Sequence, residues 1–183
     1  LVARFLSQFA TMGFSFYIIY ALRRFGMTPI VAGYLTATLT ISQTVANIGM
    51  GWIGDRVGHR AMLILGAFAA LLSSVLAWNA TSLAWFYPIF LLTGLANVSI
   101  WTIGMVMTVD FGTEVERPMY IGLSQTLTAP ATIIAPIIGG WIVDTAGFIP
   151  TFIISTTLSV VMIAIIIFLV KDPRTHLTAG NRP

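Results

Sequence analysis

Apolar residues run through this chain in six long blocks, parted by short polar breaks. The blocks are roughly 5–22, 30–53, 61–78, 83–109, 119–143 and 150–170. Each holds about 18 to 27 residues, long enough for a helix to cross the hydrocarbon layer of a bilayer. None shows the two-residue alternation of a barrel strand, so six membrane-spanning helices are expected. The breaks read "RRFGMTP", "GDRVGHR", "NATS", "DFGTEVERP" and "DTAGFIP", and "KDPRTHLTAGNRP" closes the sequence. The predicted fold class is an all-α membrane protein, with a six-helix domain at 1–171 and a cytoplasmic tail at 172–183.

Composition agrees with that pattern. Charged residues make up 8% of the chain and hydrophobic ones 57%, with a mean hydropathy of +0.93. A soluble domain carries about a quarter charged residues. There is no cysteine, which excludes disulfides and thiolate metal sites. No cofactor, metal or nucleic-acid partner is expected. The net charge is only +3, so its placement matters more than its sum. Arg4, Arg56, Arg60, Arg117, Lys171, Arg174 and Arg182 fall on one side of the membrane, Arg23 and Arg24 on the other. The positive-inside rule then puts both termini in the cytoplasm of a multi-pass protein of the plasma (inner) membrane. The opening Leu-Val-Ala-Arg, without Met, reads as a fragment or processed chain and not as a cleavable leader.

"GWIGDRVG" at 51–58 returns as "GWIVDTAG" at 140–147, 89 residues later. Pro29 and Gly33 match Pro118 and Gly122 at the same offset. The repeated unit is about three spans long, over roughly 1–82 and 83–171. An odd number of spans inverts the second copy in the membrane, and its loop indeed lacks the arginines of the first.

"GWIGDRVGHR" resembles the loop signature of the major facilitator superfamily, roughly G-x-x-x-D-R-x-G-R-R, found after the second span of each six-span half. A Glu-Arg-Pro at 116–118 followed by Gly122, six spans and inside termini extend the resemblance over the whole chain. It implies one half of a twelve-helix transporter built from two inverted three-helix repeats, with the other half as partner. The missing initiator Met and the closing "VKDPR" with a short tail point to the C-terminal half. It also implies a conformational latch made by Gly51, Asp55, Arg56, Gly58, His59 and Arg60, with Asp110 as the nearest acid. Physically, Gly51 and Gly58 permit close approach and a tight turn, Asp55 suits a neighbouring helix N-terminus, and Arg56 and Arg60 suit acids at the membrane edge. Such a latch biases a rocking equilibrium by a few kcal/mol at most. His59 departs from the family's usual Arg, which leaves two readings open: a weaker or pH-tuned latch, or a solvated loop residue.

Polar groups near mid-span are costly in lipid and face a cavity or a partner helix. The substrate-pathway candidates are Tyr17, Gln43, Asn47, Asn97, Trp101 and Gln125. Gln43 and Asn47 share a helix face, as do Asn97 and Trp101. The alternative is hydrogen bonding between helices, at about 1 kcal/mol each. The third and sixth spans offer only serines and threonines and read as peripheral. In the fifth span Gly122, Ala131, Ala135, Pro136, Gly139 and Gly140 follow the spacing of an antiporter motif of the superfamily, with two glycines replaced by alanine. This is a small-residue packing face with a Pro kink.

No acid lies at mid-membrane, since Asp110 and Asp144 sit at span ends. A coupling acid therefore lies in the partner half, or Asp110 serves, or the protein is an uncoupled facilitator. The expected function is secondary transport of a small organic solute, neutral or amphipathic, by alternating access, with proton-coupled efflux as one form. A non-transporting half-domain is the other reading. An intramembrane protease would need a base beside Ser124, but His59 and His176 lie outside the spans. A subunit of a nucleotide-driven pump fits neither the repeat nor the signature.

Overall fold

The computed structural model describes residues 2–103 and 117–169. The described residues are helical, joined by short turns, with no strand among them. In chain order they form α1 (Val2–Ala10), α2 (Tyr17–Phe25), α3 (Pro29–Val57), α4 (His59–Asn79), α5 (Phe86–Val98), α6 (Arg117–Ala146) and α7 (Phe148–Leu169). Five stretches are long and apolar enough to cross a membrane: Phe5–Phe25, His59–Asn79, Leu83–Thr102, Pro118–Ala146 and Phe148–Phe168. The 29-residue α3 is not among them. Its length is ample, about 43 Å at 1.5 Å per residue, but a run of threonines, with Gln43 and Asn47, dilutes its apolar character.

Local sequence explains most helix boundaries. Gly26, at φ 61°, stops α2 in the left-handed conformation. Thr28 then caps α3, its Oγ1 accepting from the Val31 amide at 3.5 Å, and Pro29 takes the first helical position. The "GDRVGHR" and "DTAGFIP" breaks, expected as loops, are nearly all helix. A single glycine divides α3 from α4, and another divides α6 from α7. Gly58 has φ 107° and Gly147 φ 90°. The Gly58 amide donates to Gly54 at 2.9 Å, and the Gly147 amide to Val143 at 3.0 Å. The same device thus occurs twice, 89 residues apart, at matched positions of the repeated octapeptide.

Two spans depart from regular helix. The first loosens after Thr11 into a 3-10 turn, Met12–Phe16. There the Gly13 amide donates to Ser155 Oγ of α7 at 3.1 Å. The fourth opens into a π turn, Ser99–Ile103, where Ser99 Oγ donates to the Met62 carbonyl at 2.9 Å. Each departure is tied to another span by one serine hydroxyl, Ser155 accepting at the first and Ser99 donating at the second.

α4 is the hub of the bundle, packed on α3, α5, α7 and the π turn, while α7 also meets α1 and α6. The expectation that the third and sixth spans are peripheral therefore needs correction. Ser73, Ser74, Ser155 and Ser159 are fully buried and hydrogen-bonded inside the bundle. Their small size lets helices approach closely, which drives association where lipid is as apolar as leucine. An aromatic cluster closes one end: the Tyr20 ring lies 5.2 Å from Phe152, 5.3 Å from Phe148 and 6.1 Å from Phe86, between centroids. α3 and α6 are the outer helices and carry the most exposed surface.

Candidate functional site

Helical spacing puts Gly33, Thr36, Thr40, Gln43, Thr44, Asn47 and Gly51 on one side of α3. Beside it runs an exposed apolar stripe: Ile30, Tyr34, Ile41, Val45, Ile48 and Trp52. Leu35, Ala46 and Met50 turn inward to the bundle. The threonine hydroxyls of the polar side each donate one turn back: Thr36 to Ala32, Thr40 to Thr36 and Thr44 to Thr40, at 2.9, 3.0 and 2.9 Å. Their protons are thereby used, and oxygen lone pairs remain toward the open side.

The π turn completes this face. Asn47 Nδ2 donates to the Gln43 carbonyl at 2.9 Å, and Thr102 Oγ1 donates to Asn47 Oδ1 at 3.3 Å. Trp101, the next residue along, is 42% exposed. α4 comes very close to the π turn: a Cβ on Gly66 would overlap the Ser99 side chain. Trp101 and Thr102 are exposed within it, and π turns are frequent at functional sites. Nearby, Ser42 Oγ donates to the Leu91 carbonyl at 2.5 Å where Gly94 lets α5 approach.

The other proposed pathway residues are dispersed. Tyr17 is fully buried, and its hydroxyl shares hydrogen bonds with Ser73 at 3.3 Å and Ser74 at 3.1 Å. It belongs to the bundle interior and presents nothing to the α3 face. Asn97 is half-buried on α5, one turn before Trp101, and Gln125 is half-buried on α6.

α6 has two distinct faces. Ser124, Thr128, Ala131, Ala135 and Gly139 form a buried row, and Phe16 lies against Gly139, where a Cβ would come within 2.7 Å of its ring. Gly122 and Pro136 lie on the other, exposed side, and Gly140 is half-exposed there. The motif spacing read from the sequence therefore spans both faces, because its glycines do not all share a helical row. Gly33 and Gly122, matched in the repeat, both have open space where a side chain would be.

The charged turn is compact. Arg56 stacks over Trp52, its Cζ 3.9 Å from the ring centroid. The His59 ring packs near Gly54, whose added Cβ would lie 3.4 Å from His59 Cδ2. Arg60 donates from Nε to the Ile166 carbonyl at 3.4 Å and from Nη2 to Ile167 at 2.5 Å. It thus holds the carboxyl end of α7, where carbonyls lack helical partners. Gly51 is half-exposed with open space around it. The Asp55 side chain and Asp110 lie outside the described residues, as do Glu114 and Glu116.

The Major Facilitator Superfamily profile matches residues 1–183, the whole chain. The chain belongs to the Major Facilitator Superfamily. Its relatives in that superfamily include "Multidrug resistance protein 2" of Bacillus subtilis (strain 168), 27% identical over 76% of this chain and 35% of its own length. "Probable vesicular acetylcholine transporter-B" of Danio rerio is 28% identical, over 82% of this chain and 31% of its length. "Vesicular acetylcholine transporter" of Torpedo torpedo is 27% identical, over 81% and 29%. The chain thus spans about a third of the curated relatives it matches. For a superfamily member it is an all-α, multi-pass membrane protein, as its apolar blocks predict.

Two features of the α3 face were not among the candidates expected from the sequence. Thr102 carried no signal, because its role depends on the π turn. The threonines of "TATLTISQT" did carry one, a four-residue hydroxyl spacing at 36, 40 and 44.

Proposed function

We propose that this chain is one six-span half of a carrier that moves a small amphipathic organic solute by alternating access. The observation that carries the reading is the open polar side of α3, joined by hydrogen bond to the π turn through Asn47 and Thr102. Thr36, Thr40 and Asn47 have no reason to line one exposed side of a membrane helix that meets only lipid. Gly33 and Gly122, open in this chain, then receive the partner half. Gln43, Asn47, Trp101 and Thr102 contact the solute on this reading, and Tyr17 supports the bundle. An exposed indole beside amide and hydroxyl oxygens suits a solute with an apolar body and a cationic or neutral head. The relatives named for drugs and for acetylcholine fit that chemistry.

The charged turn acts as the latch on the cytoplasmic side, with both termini on that side. Arg60 ties α4 to the end of α7, and Arg56 is pre-oriented by Trp52. The testing experiment is flux through the full-length parent in proteoliposomes, with and without a pH gradient, in wild type and Asn47→Leu. Solute flux that falls at least about tenfold in the variant, with folding intact, supports the reading. Equal flux in both proteins ends the assignment of the α3 face. Flux that needs the pH gradient makes the carrier proton-coupled, and flux indifferent to it makes it a facilitator.

A further inference from the structure

Arg23 and Arg24 stand at the end of the bundle opposite the Gly58 turn, where the orientation rule favours few positive charges. Both are exposed, in the last turn of α2. With Tyr20 they occupy positions i, i+3 and i+4, so all three share a side of that helix. They wall a cleft of about 470 Å³ whose other side is the 146–149 turn. The Arg23 Cζ lies 5.7 Å from the Phe148 ring centroid. That ring in turn packs on Tyr20, so the guanidinium rests on a fixed aromatic floor. Gly147 adds open space, with nothing within 4 Å of where its Cβ would be. Asp144, exposed in the last turn of α6, is the described carboxylate nearest in sequence to that turn, and two guanidiniums outweigh it. The first amides of α7, at Phe148 and Ile149, add their partial positive charge to the same side.

We propose that this cleft binds the phosphate of an anionic phospholipid. Guanidinium forks match phosphate oxygens in pairs, and the Phe148 stack pre-orients one of them. A water takes up about 30 Å³ of liquid, so a cleft of 470 Å³ has room for a headgroup with its glycerol. The surface deeper in the membrane is apolar: Ile149 and Ile153 lie one turn apart on α7, and Ile19 and Leu22 are exposed on α2. Those side chains take the acyl chains, a contact that free phosphate cannot make.

The test is lipid retention by the purified full-length protein. It is titrated in detergent with phosphatidylglycerol or phosphatidylcholine, and bound lipids are counted by native mass spectrometry. Wild type holds at least one phosphatidylglycerol under conditions that strip phosphatidylcholine. The pair Arg23→Gln/Arg24→Gln loses that lipid, with affinity lower by about tenfold or more, as expected when charge-assisted bonds to phosphate are removed. The pair Arg23→Lys/Arg24→Lys keeps much of it, which separates loss of charge from loss of fold. Inorganic phosphate in large excess leaves the lipid bound. Equal retention of the two lipids in wild type overturns the proposal, and so does full retention in the glutamine pair. Displacement by inorganic phosphate overturns it too, since the site would then belong to a soluble anion.

Discussion

A methyl group added at Gly66 would sit 2.0 Å from Ser99 Cβ, and one at Gly94 would sit 2.7 Å from Ser42 Cβ and 2.9 Å from the Leu39 carbonyl. Neither contact relaxes by turning a flexible chain end. Gly66→Ala and Gly94→Ala should each cost about 1–3 kcal/mol by overpacking. The melting midpoint in detergent then falls by several degrees, which a thermal scan will show. Gly33 and Gly122 give the contrasting case. Their added methyls meet nothing in this chain, and alanine is the better helix former by about 0.5–1 kcal/mol. Gly33→Ala and Gly122→Ala should leave the midpoint unchanged or raised while lowering flux in the full-length parent. A falling midpoint would mean that these glycines serve this bundle and not a partner half. Gly58 and Gly147 are constrained by conformation instead, and alanine at either φ costs about 1–2 kcal/mol.

Among the elements, the π turn sets the strongest prediction. Thr102→Val removes the hydroxyl that reaches Asn47 while keeping its volume. Interhelical bonds of this kind contribute about 0.6–1.7 kcal/mol. The proposed site should show a raised KM for the transported solute, with the melting midpoint lowered by no more than a few degrees. An unchanged KM would remove Thr102 from the solute path. Arg60→Gln should loosen α4 from the end of α7 and shift the balance of inward- and outward-open forms, read from the labelling rate of a cysteine placed on the α3 face. Span positions were legible in the sequence because long apolar blocks fix them to within a few residues. The breaks in the first and fourth spans were not legible, because Gly13 and Ser155 are 142 residues apart and Ser99 and Met62 are 37 apart. Tyr17 was misleading for the same reason. Its partners Ser73 and Ser74 looked like sparse polar residues on an unrelated span, yet they satisfy its hydroxyl entirely inside the bundle.

At the scale of the molecule, the hub of α4 and α7 is closed while α3 and α6 each keep an exposed side. On the proposed reading of the chain as one half of a carrier, it should insert and fold by itself yet carry nothing until its complement is supplied. Co-expression of the two halves as separate chains should restore flux, and neither alone should show it. Flux by this chain alone would instead require two copies to pair. The turns at Gly58 and Gly147 carry a last consequence. Proteases cleave chain that can be drawn out as an extended strand, and they fail where backbone hydrogen bonds hold it folded. Arg56 and Arg60 look like ideal tryptic sites on a membrane protein's polar edge. With one residue between two long helices, there is no slack to draw into an active-site groove. Trypsin added to that side of the membrane should therefore leave the chain uncut between Trp52 and Met62.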